Sequence, residues 1–294
     1  MKLLVLGGWG QLGTDLAAAA EGRHDLVRPR RSEADVTDGE VVRAAAGEHR
    51  PDAVLDLAAF HKVELCEDDP DTAFRVNAVG AWNCATAARA VGARCLFVSS
   101  DYVFDGERDG YAEDDPVGPV NVYGISKAAG ERATLVACPE GLVVRGSGLF
   151  GHAGSSGKGG NFVETMLAKA AAGEAISVVD AQVFSPTSTR DMADRILLLL
   201  ERDVPPGIYH AANAGSCAWY RFARAIFELA DVSADLSPRP AGTQAVRRPR
   251  SSILLDTKSG PIGLPANPSW RDALRWYLEE RSRLRQDASI GAGR

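Results

Sequence analysis

Lys2-Leu3-Leu4-Val5-Leu6-Gly7-Gly8-Trp9-Gly10-Gln11-Leu12-Gly13 is the stretch on which the fold turns. Lys2 to Leu6 is a short apolar run, the pattern of a strand buried on both faces. Gly7, Gly10 and Gly13 follow at three-residue spacing, which lets the backbone turn tightly and come close to a pyrophosphate. Thr14 to Glu21, with its alanine run, continues as a helix whose N-terminus points free N–H groups at such an anion. This is the first half of a βαβ unit.

Working outward, apolar runs recur at Asp25-Leu26-Val27, from Ala53 to Ala59, from Cys95 to Ser100 and from Gly141 to Arg145. An alanine-rich helical stretch, Asp71 to Val91, lies between the third and fourth strands of the series. Strands alternating with helices predict an α/β fold: a doubly wound parallel sheet of the Rossmann type. Ligands of such sheets bind at the carboxyl ends of the strands, where the glycine loop, Ala58-Ala59 and Ser99-Ser100 all fall. The Gly/Ser-rich run from Gly146 to Gly160 reads as a loop entering a smaller, C-terminal substrate domain. Asp191 to Glu201 reads as an apolar helix returning to the sheet, and Trp219 to Leu229 and Trp270 to Arg285 as amphipathic helices of the second domain. The expected division is 1–145 and 187–212 for the dinucleotide-binding domain, 146–186 and 213–285 for the substrate domain, and 286–294 for a frayed tail.

With 294 residues and 45% hydrophobic content, the chain can bury a large core. Its formal net charge of -6, with no long basic block, argues against a nucleic-acid surface. Five widely spaced cysteines, with no Cys-x-x-Cys pair and no His pair at ligand spacing, predict reduced thiols, a cytoplasmic setting and no metal. The apolar run before the glycines is too short for a signal peptide or a membrane span, so no membrane partner is expected.

Chemistry enters with Ser100, Tyr123 and Lys127. Reducing a ketone needs hydride at carbon and a proton at the developing alkoxide. A tyrosine hydroxyl can give that proton, but its ordinary pKa of about 10 is too high for efficient exchange near neutrality. Lys127, four residues after Tyr123 on one helix face, can lower that pKa and reach a nicotinamide ribose. Ser100, at a strand end, can donate to the substrate carbonyl. The expected roles are therefore Tyr123 as general acid, Lys127 as pKa modifier and ribose anchor, and Ser100 as carbonyl polariser. An acid at the end of the second strand selects NAD, whereas arginine suits a 2′-phosphate. The chain offers Arg28, Arg30 and Arg31 there, with no acid before Glu33, which predicts NADPH over NADH.

Several further strings carry a resemblance: Gly7-Gly8-Trp9-Gly10-Gln11-Leu12-Gly13, Ser100-Asp101-Tyr102-Val103-Phe104-Asp105-Gly106, Asn121-Val122-Tyr123-Gly124-Ile125-Ser126-Lys127 and Gly130-Glu131. In this order, over nearly the whole chain, they resemble the extended short-chain dehydrogenase/reductase superfamily and, within it, the dTDP-4-dehydrorhamnose reductase family. The resemblance implies NADPH-dependent reduction of the 4-keto group of a nucleotide-activated deoxysugar. It places Gly7, Gly10, Gln11, Leu12, Asp35, Val36, Ala58 and Ala59 at the cofactor, with Asp35 and Val36 flanking the adenine. It places Asp101, Tyr102, Asn161, Phe162 and Gln182 at the substrate, and Arg248 on the nucleotide-sugar pyrophosphate, where a guanidinium matches two oxygens at once. The implied partners are that sugar nucleotide and a second copy of the chain as a homodimer.

The chain departs from the family pattern in four places. Ser100 stands where Thr is usual, Ala181 where Asp is usual and Gly148 where Trp is common, and the Phe60-His61-Lys62-Val63-Glu64 loop differs and could reshape the sugar pocket. Trp219 and Trp270 read as core, and His61 and His210 as structural or solvated residues, so all four are placed outside the site. Two other readings stay open: a sugar-nucleotide epimerase or dehydratase, and a non-catalytic NADP-binding regulatory subunit.

Overall fold

The computed structural model describes residues 1–153, 160–242 and 245–291, with side chains described to residue 286. Five strands, β1 (Lys2–Leu6), β2 (Asp25–Val27), β3 (Ala53–Asp56), β4 (Arg94–Ser100) and β5 (Leu142–Gly146), join the later strand Gly207–His210 in one sheet. The order across it is Gly207–His210, β5, β4, β3, β1, β2, and every pairing is parallel. The series reverses direction between β1 and β3, so strand ends and connecting loops open a crevice there.

α1 (Gln11–Ala20) follows β1 and α2 (Gly39–His49) follows β2. After β3 come α3 (Val63–Asp68), α4 (Pro70–Phe74), a π-helical turn Arg75–Val79 and α5 (Gly80–Ala90); α6 (Val122–Ala137) follows β4. α7 (Phe162–Ala171), α8 (Thr189–Glu201), α9 (Trp219–Ala230) and α10 (Trp270–Gly291) complete the set. In β1, Leu3 and Val5 pack with α1 and α8, whereas Leu4 and Leu6 pack with α2 and α5, and all four are fully buried. That alternation explains why the strand is apolar throughout. A separate cluster of Phe150, Val163, Phe184, Phe222, Ile226, Leu274 and Tyr277 forms a second core among α7, α9 and α10.

The expected helix over Asp71 to Val91 is broken. Asp69 caps α4 by accepting from the Thr72 N–H, Pro70 opens it, and the π turn then widens the backbone before α5. The widened turn carries Asn77 inward, where it donates to Ser126 Oγ at 2.9 Å and to the Phe60 carbonyl at 2.9 Å. An extra residue in a helix is often a device at a functional site, and Ser126 lies between Tyr123 and Lys127 on α6. α10 stays helical through Gly291, past the expected end at Arg285, while residues 292–294 lie outside the described residues. So do residues 154–159 of the expected Gly146 to Gly160 loop; Leu149–Phe150 within that loop is a short strand paired with Thr187–Ser188.

The glycine loop is packed tightly. Gly7 has φ of 71°, and a Cβ there would lie 2.6 Å from the Ala58 nitrogen. A Cβ on Gly13 would come within 2.3 Å of the Gly8 carbonyl oxygen, and backbone rather than a movable side chain is what it meets. Gly13→Ala is therefore expected to cost about 1–3 kcal/mol by overpacking. Urea unfolding at constant m-value checks this, and a change below about 0.5 kcal/mol would contradict the packing described.

Candidate active site

A cavity of about 850 Å³ opens at the carboxyl ends of the strands. Its wall carries Gly7, Gly10, Gln11 and Leu12 from the glycine loop, Ala58 and Ala59 after β3, Ser100 at the end of β4, and Tyr123 and Lys127 from α6. Asp101, Tyr102, Asn161, Phe162 and Gln182 also line it, as do Arg31, Asp35 and Val36 at the end beyond β2. Residues separated by more than a hundred positions in sequence thus share one surface.

Gly10 starts α1 without a side-chain cap, so the first-turn N–H groups are left for a ligand. Gln11 Oε1 is buried without a hydrogen-bond partner beside them. An uncapped helix start and a glycine turn in which added Cβ atoms would strike backbone fit the pyrophosphate of a dinucleotide, and the orphaned Gln11 acceptor matches a donor such as a ribose hydroxyl of the same molecule.

Of the three arginines expected near a 2′-phosphate, only Arg31 reaches the wall, where its Nε donates to Asp35 at 2.9 Å. Arg28 is turned beneath the glycine loop and donates to the Gly8 and Gly13 carbonyls at 3.3 and 3.4 Å. Arg28 and Arg30 both lie over the Trp9 ring, at 4.5 and 4.6 Å from its centroid. Both cations are held against the indole, and neither lines the cavity.

Around the three residues expected to carry the chemistry, Ser100 Oγ donates to Asp101 Oδ1 at 3.0 Å and accepts from the Tyr102 N–H at 3.2 Å. Asp101 Oδ2 accepts from Ser147 at 2.7 Å and Ser252 at 2.6 Å, so one buried carboxylate gathers three hydroxyls. Burial raises the Asp101 carboxyl above its ordinary value, and the three hydroxyl bonds oppose that rise. Burial likewise pushes the Tyr123 phenol above the usual tyrosine range, against a hydrogen bond with Ser100. The expected lowering of Tyr123 is thus outweighed by desolvation, and the phenol keeps its proton at neutral pH. Lys127 is pushed down to about 8, by burial first, with Asp56 and Glu131 pulling it back up.

Asn161 lines the cavity with its side chain committed: it donates to the Gly151 carbonyl at 2.7 Å and to Tyr277 Oη at 3.1 Å, and accepts from the Glu164 N–H at 3.1 Å. Arg248 does not reach the wall; its guanidinium pairs with Glu64 and hydrogen-bonds to Tyr102. Tyr102 itself is pushed up to about 12, chiefly by burial.

Around Phe162, which the sequence reading placed at the substrate, lies an aromatic wall whose other members, Phe184, Trp219 and Phe222, that reading missed. Trp219 stacks on Phe184 with centroids 3.9 Å apart, Phe162 packs against Trp219 at 4.7 Å, and Phe222 joins them on the lining. Gly148 makes room for this group, since a Cβ there would lie 2.2 Å from the Phe184 ring. His61 also lines the cavity, whereas His210 is buried beside Arg145 and Trp270 packs on Phe222. The five cysteines are buried and free. Among the described residues no helix is long and apolar enough to cross a membrane.

A family model described as RmlD substrate binding domain matches residues 1–283. The spore coat polysaccharide biosynthesis protein SpsK of Bacillus subtilis is 37% identical over 286 residues, covering 96% of this chain and 98% of SpsK. A dTDP-4-dehydrorhamnose reductase of Mycolicibacterium smegmatis is 40% identical over 286 residues, covering 93% of this chain and 84% of the relative. The crystal structure of dTDP-4-dehydrorhamnose reductase from Bacillus anthracis in complex with NADP matches with a TM-score of 0.90 at 34% identity, over 95% of this chain and 99% of that one. With an α/β sheet and a cavity built from the predicted loop and side chains, and with relatives aligned along almost its full length, this chain belongs to the RmlD substrate binding domain family, that of the dTDP-4-dehydrorhamnose reductases.

Proposed function

We propose that the chain reduces the 4-keto group of a nucleotide-activated deoxysugar, dTDP-4-dehydrorhamnose or a close relative, with NADPH. The observation that carries this reading is the presence of Ser100, Tyr123 and Lys127 on one wall of the cavity that also bears the glycine loop. Bound NADPH supplies the hydride. Gly7, Gly10, Gln11 and Leu12 hold the pyrophosphate, Val36 and Asp35 flank the adenine, and Ala58 and Ala59 line the path between. Arg31 is the arginine placed for the 2′-phosphate, exchanging its bond to Asp35 for one to the anion.

Tyr123 delivers its proton to the oxygen of the keto group, and burial keeps that proton in place until the oxygen becomes basic. Ser100 polarises the same oxygen; rotation of its hydroxyl hydrogen away from Asp101 is enough, because the oxygen atom itself is already fixed at the strand end. Lys127 anchors the nicotinamide ribose through its ammonium. The sugar lies between this centre and the aromatic wall of Phe162, Phe184 and Trp219, with Gln182 as its polar contact and Tyr102, backed by Arg248, toward the pyrophosphate.

Incubating the protein with NADPH and dTDP-4-dehydrorhamnose is expected to deplete the absorbance of reduced nicotinamide in step with formation of the 4-hydroxy sugar. Binding of NADPH with no oxidation against any 4-keto deoxysugar nucleotide would overturn the proposal and favour a binding subunit.

A further inference from the structure

Asp56 occupies a position made for an apolar side chain. The register of the parallel strands sets Leu6, Asp56, Phe97, Val143 and Ile208 side by side across the sheet. Side chains paired in this way point to the same face, here the face covered by α5 and α6. Asp56 is the charged member of the row. It is fully buried, its Oδ1 accepts from the Ala58 N–H at 3.0 Å, and its Oδ2 has no hydrogen-bond partner. A lone carboxylate in such a place opposes folding unless something nearby repays its desolvation.

What lies nearby is Lys127. Its Nζ sits 3.9 Å from the centroid of the Phe97 ring, the immediate neighbour of Asp56 in the row, and the lysine is itself 2% exposed. Among the described residues Lys127 makes no side-chain hydrogen bond or close ion pair, and Asp56 acts on it through its charge rather than by contact. Glu131, one turn further along α6, is engaged elsewhere: both its oxygens receive Arg145 and one also receives Ser99. The remaining polar groups around the pair are the Cys84 thiol on α5, which hydrogen-bonds to Asp56, the Cys95 thiol on β4, and Tyr123 on α6 itself.

We infer that Asp56 is a positioning residue for Lys127, the counter-charge that holds the buried ammonium at the cavity wall for the cofactor ribose. The inference rests on the reading of Lys127 as a cofactor anchor. Burial moves the two groups toward each other, Asp56 up to about 6 and Lys127 down to about 8, and each one's charge opposes the other's shift. Between those values both are ionised. Above about 8 the lysine loses its charge, and without Asp56 it loses that charge at lower pH, because desolvation then acts with its main opponent removed.

The test is NADPH affinity against pH, read by quenching of tryptophan fluorescence, since Trp9 and Trp219 line the cavity. For the unaltered protein, binding is expected to weaken as pH rises through about 8. In Asp56→Asn the same weakening should begin about one pH unit lower, leaving binding about fivefold weaker at pH 8 and nearly unchanged at pH 6. Asp56→Leu completes the apolar row but leaves the Ala58 N–H without its acceptor; it should show the same alkaline shift while its circular dichroism stays that of the folded protein, which separates the electrostatic effect from misfolding. An alkaline limb at the same pH in all three proteins would overturn the inference while leaving the proposed reaction standing. Failure of the unaltered protein to bind NADPH would instead sink the cofactor reading beneath it.

Discussion

Tyr123→Phe is expected to slow reduction of the sugar by about 10²–10⁴-fold while NADPH still binds, since in the proposed reaction the phenol is the proton donor and the ring is retained. The loss should fall on the chemical step, so single-turnover rates with enzyme in excess report it most cleanly. Tyr123 shares the cavity wall with Ser100, and its ring meets Tyr102 edge-on with centroids 5.9 Å apart, a packing that phenylalanine preserves. Burial raises the phenol's pKa, so in the reductive direction the residue enters protonated across the neutral range. A variant within about threefold of the unaltered rate would mean that another group supplies the proton.

Glu131→Gln is expected to lower stability by about 3–5 kcal/mol, the cost of stranding a buried cation. Arg145 and Glu131 are 1% and 4% exposed, and two bonds of 2.7 Å join them beneath the site. Glutamine keeps the shape but removes the charge that Arg145 faces. Burial, with the Arg145 guanidinium adding to it, pushes the His210 imidazole down to about 3, so the histidine stays neutral even in mild acid and adds no second cation beside Arg145. A network of His210 Nδ1 donating to the Leu255 carbonyl, with Nε2 facing Arg145 Nη1 at 3.4 Å, assigns the tautomer. Replacing both partners together, Glu131→Leu with Arg145→Met, should recover most of the loss because no unpaired charge remains. Urea unfolding of the single and double variants checks both statements. A single variant within about 1 kcal/mol of the unaltered protein would show that the pair is not isolated from water.

Much of the site was legible because each part has its own local signature. The glycine spacing after an apolar strand could only open a βα turn of one kind, and the Tyr123–Lys127 spacing placed both side chains on one face of α6. What escaped was set by distant contacts. Trp219 carries the periodicity of a core residue, and it does pack in the second core; the stack on Phe184 that turns it toward the cavity joins positions 35 apart (219 − 184). Arg28 and Arg30 sit where a phosphate-binding arginine belongs, but sequence gives no sign that Trp9 draws them away. The break in the Asp71 to Val91 stretch was partly readable from Asp69-Pro70, whereas the π turn that buries Asn77 was not, since its cause is the fit to Phe60 and Ser126. The rise of Tyr123, where a lysine nearby suggested a fall, reflects burial that only the folded chain reveals.

The central claim, that this cavity brings hydride and proton together at a sugar ketone, is tested most directly by isotope transfer. NADPH carrying deuterium at the transferable C4 position, incubated with the protein and dTDP-4-dehydrorhamnose, should yield product with one deuterium bonded to the sugar C4 for each nucleotide oxidised. Oxidation of the nucleotide with no deuterium in the sugar would contradict the account.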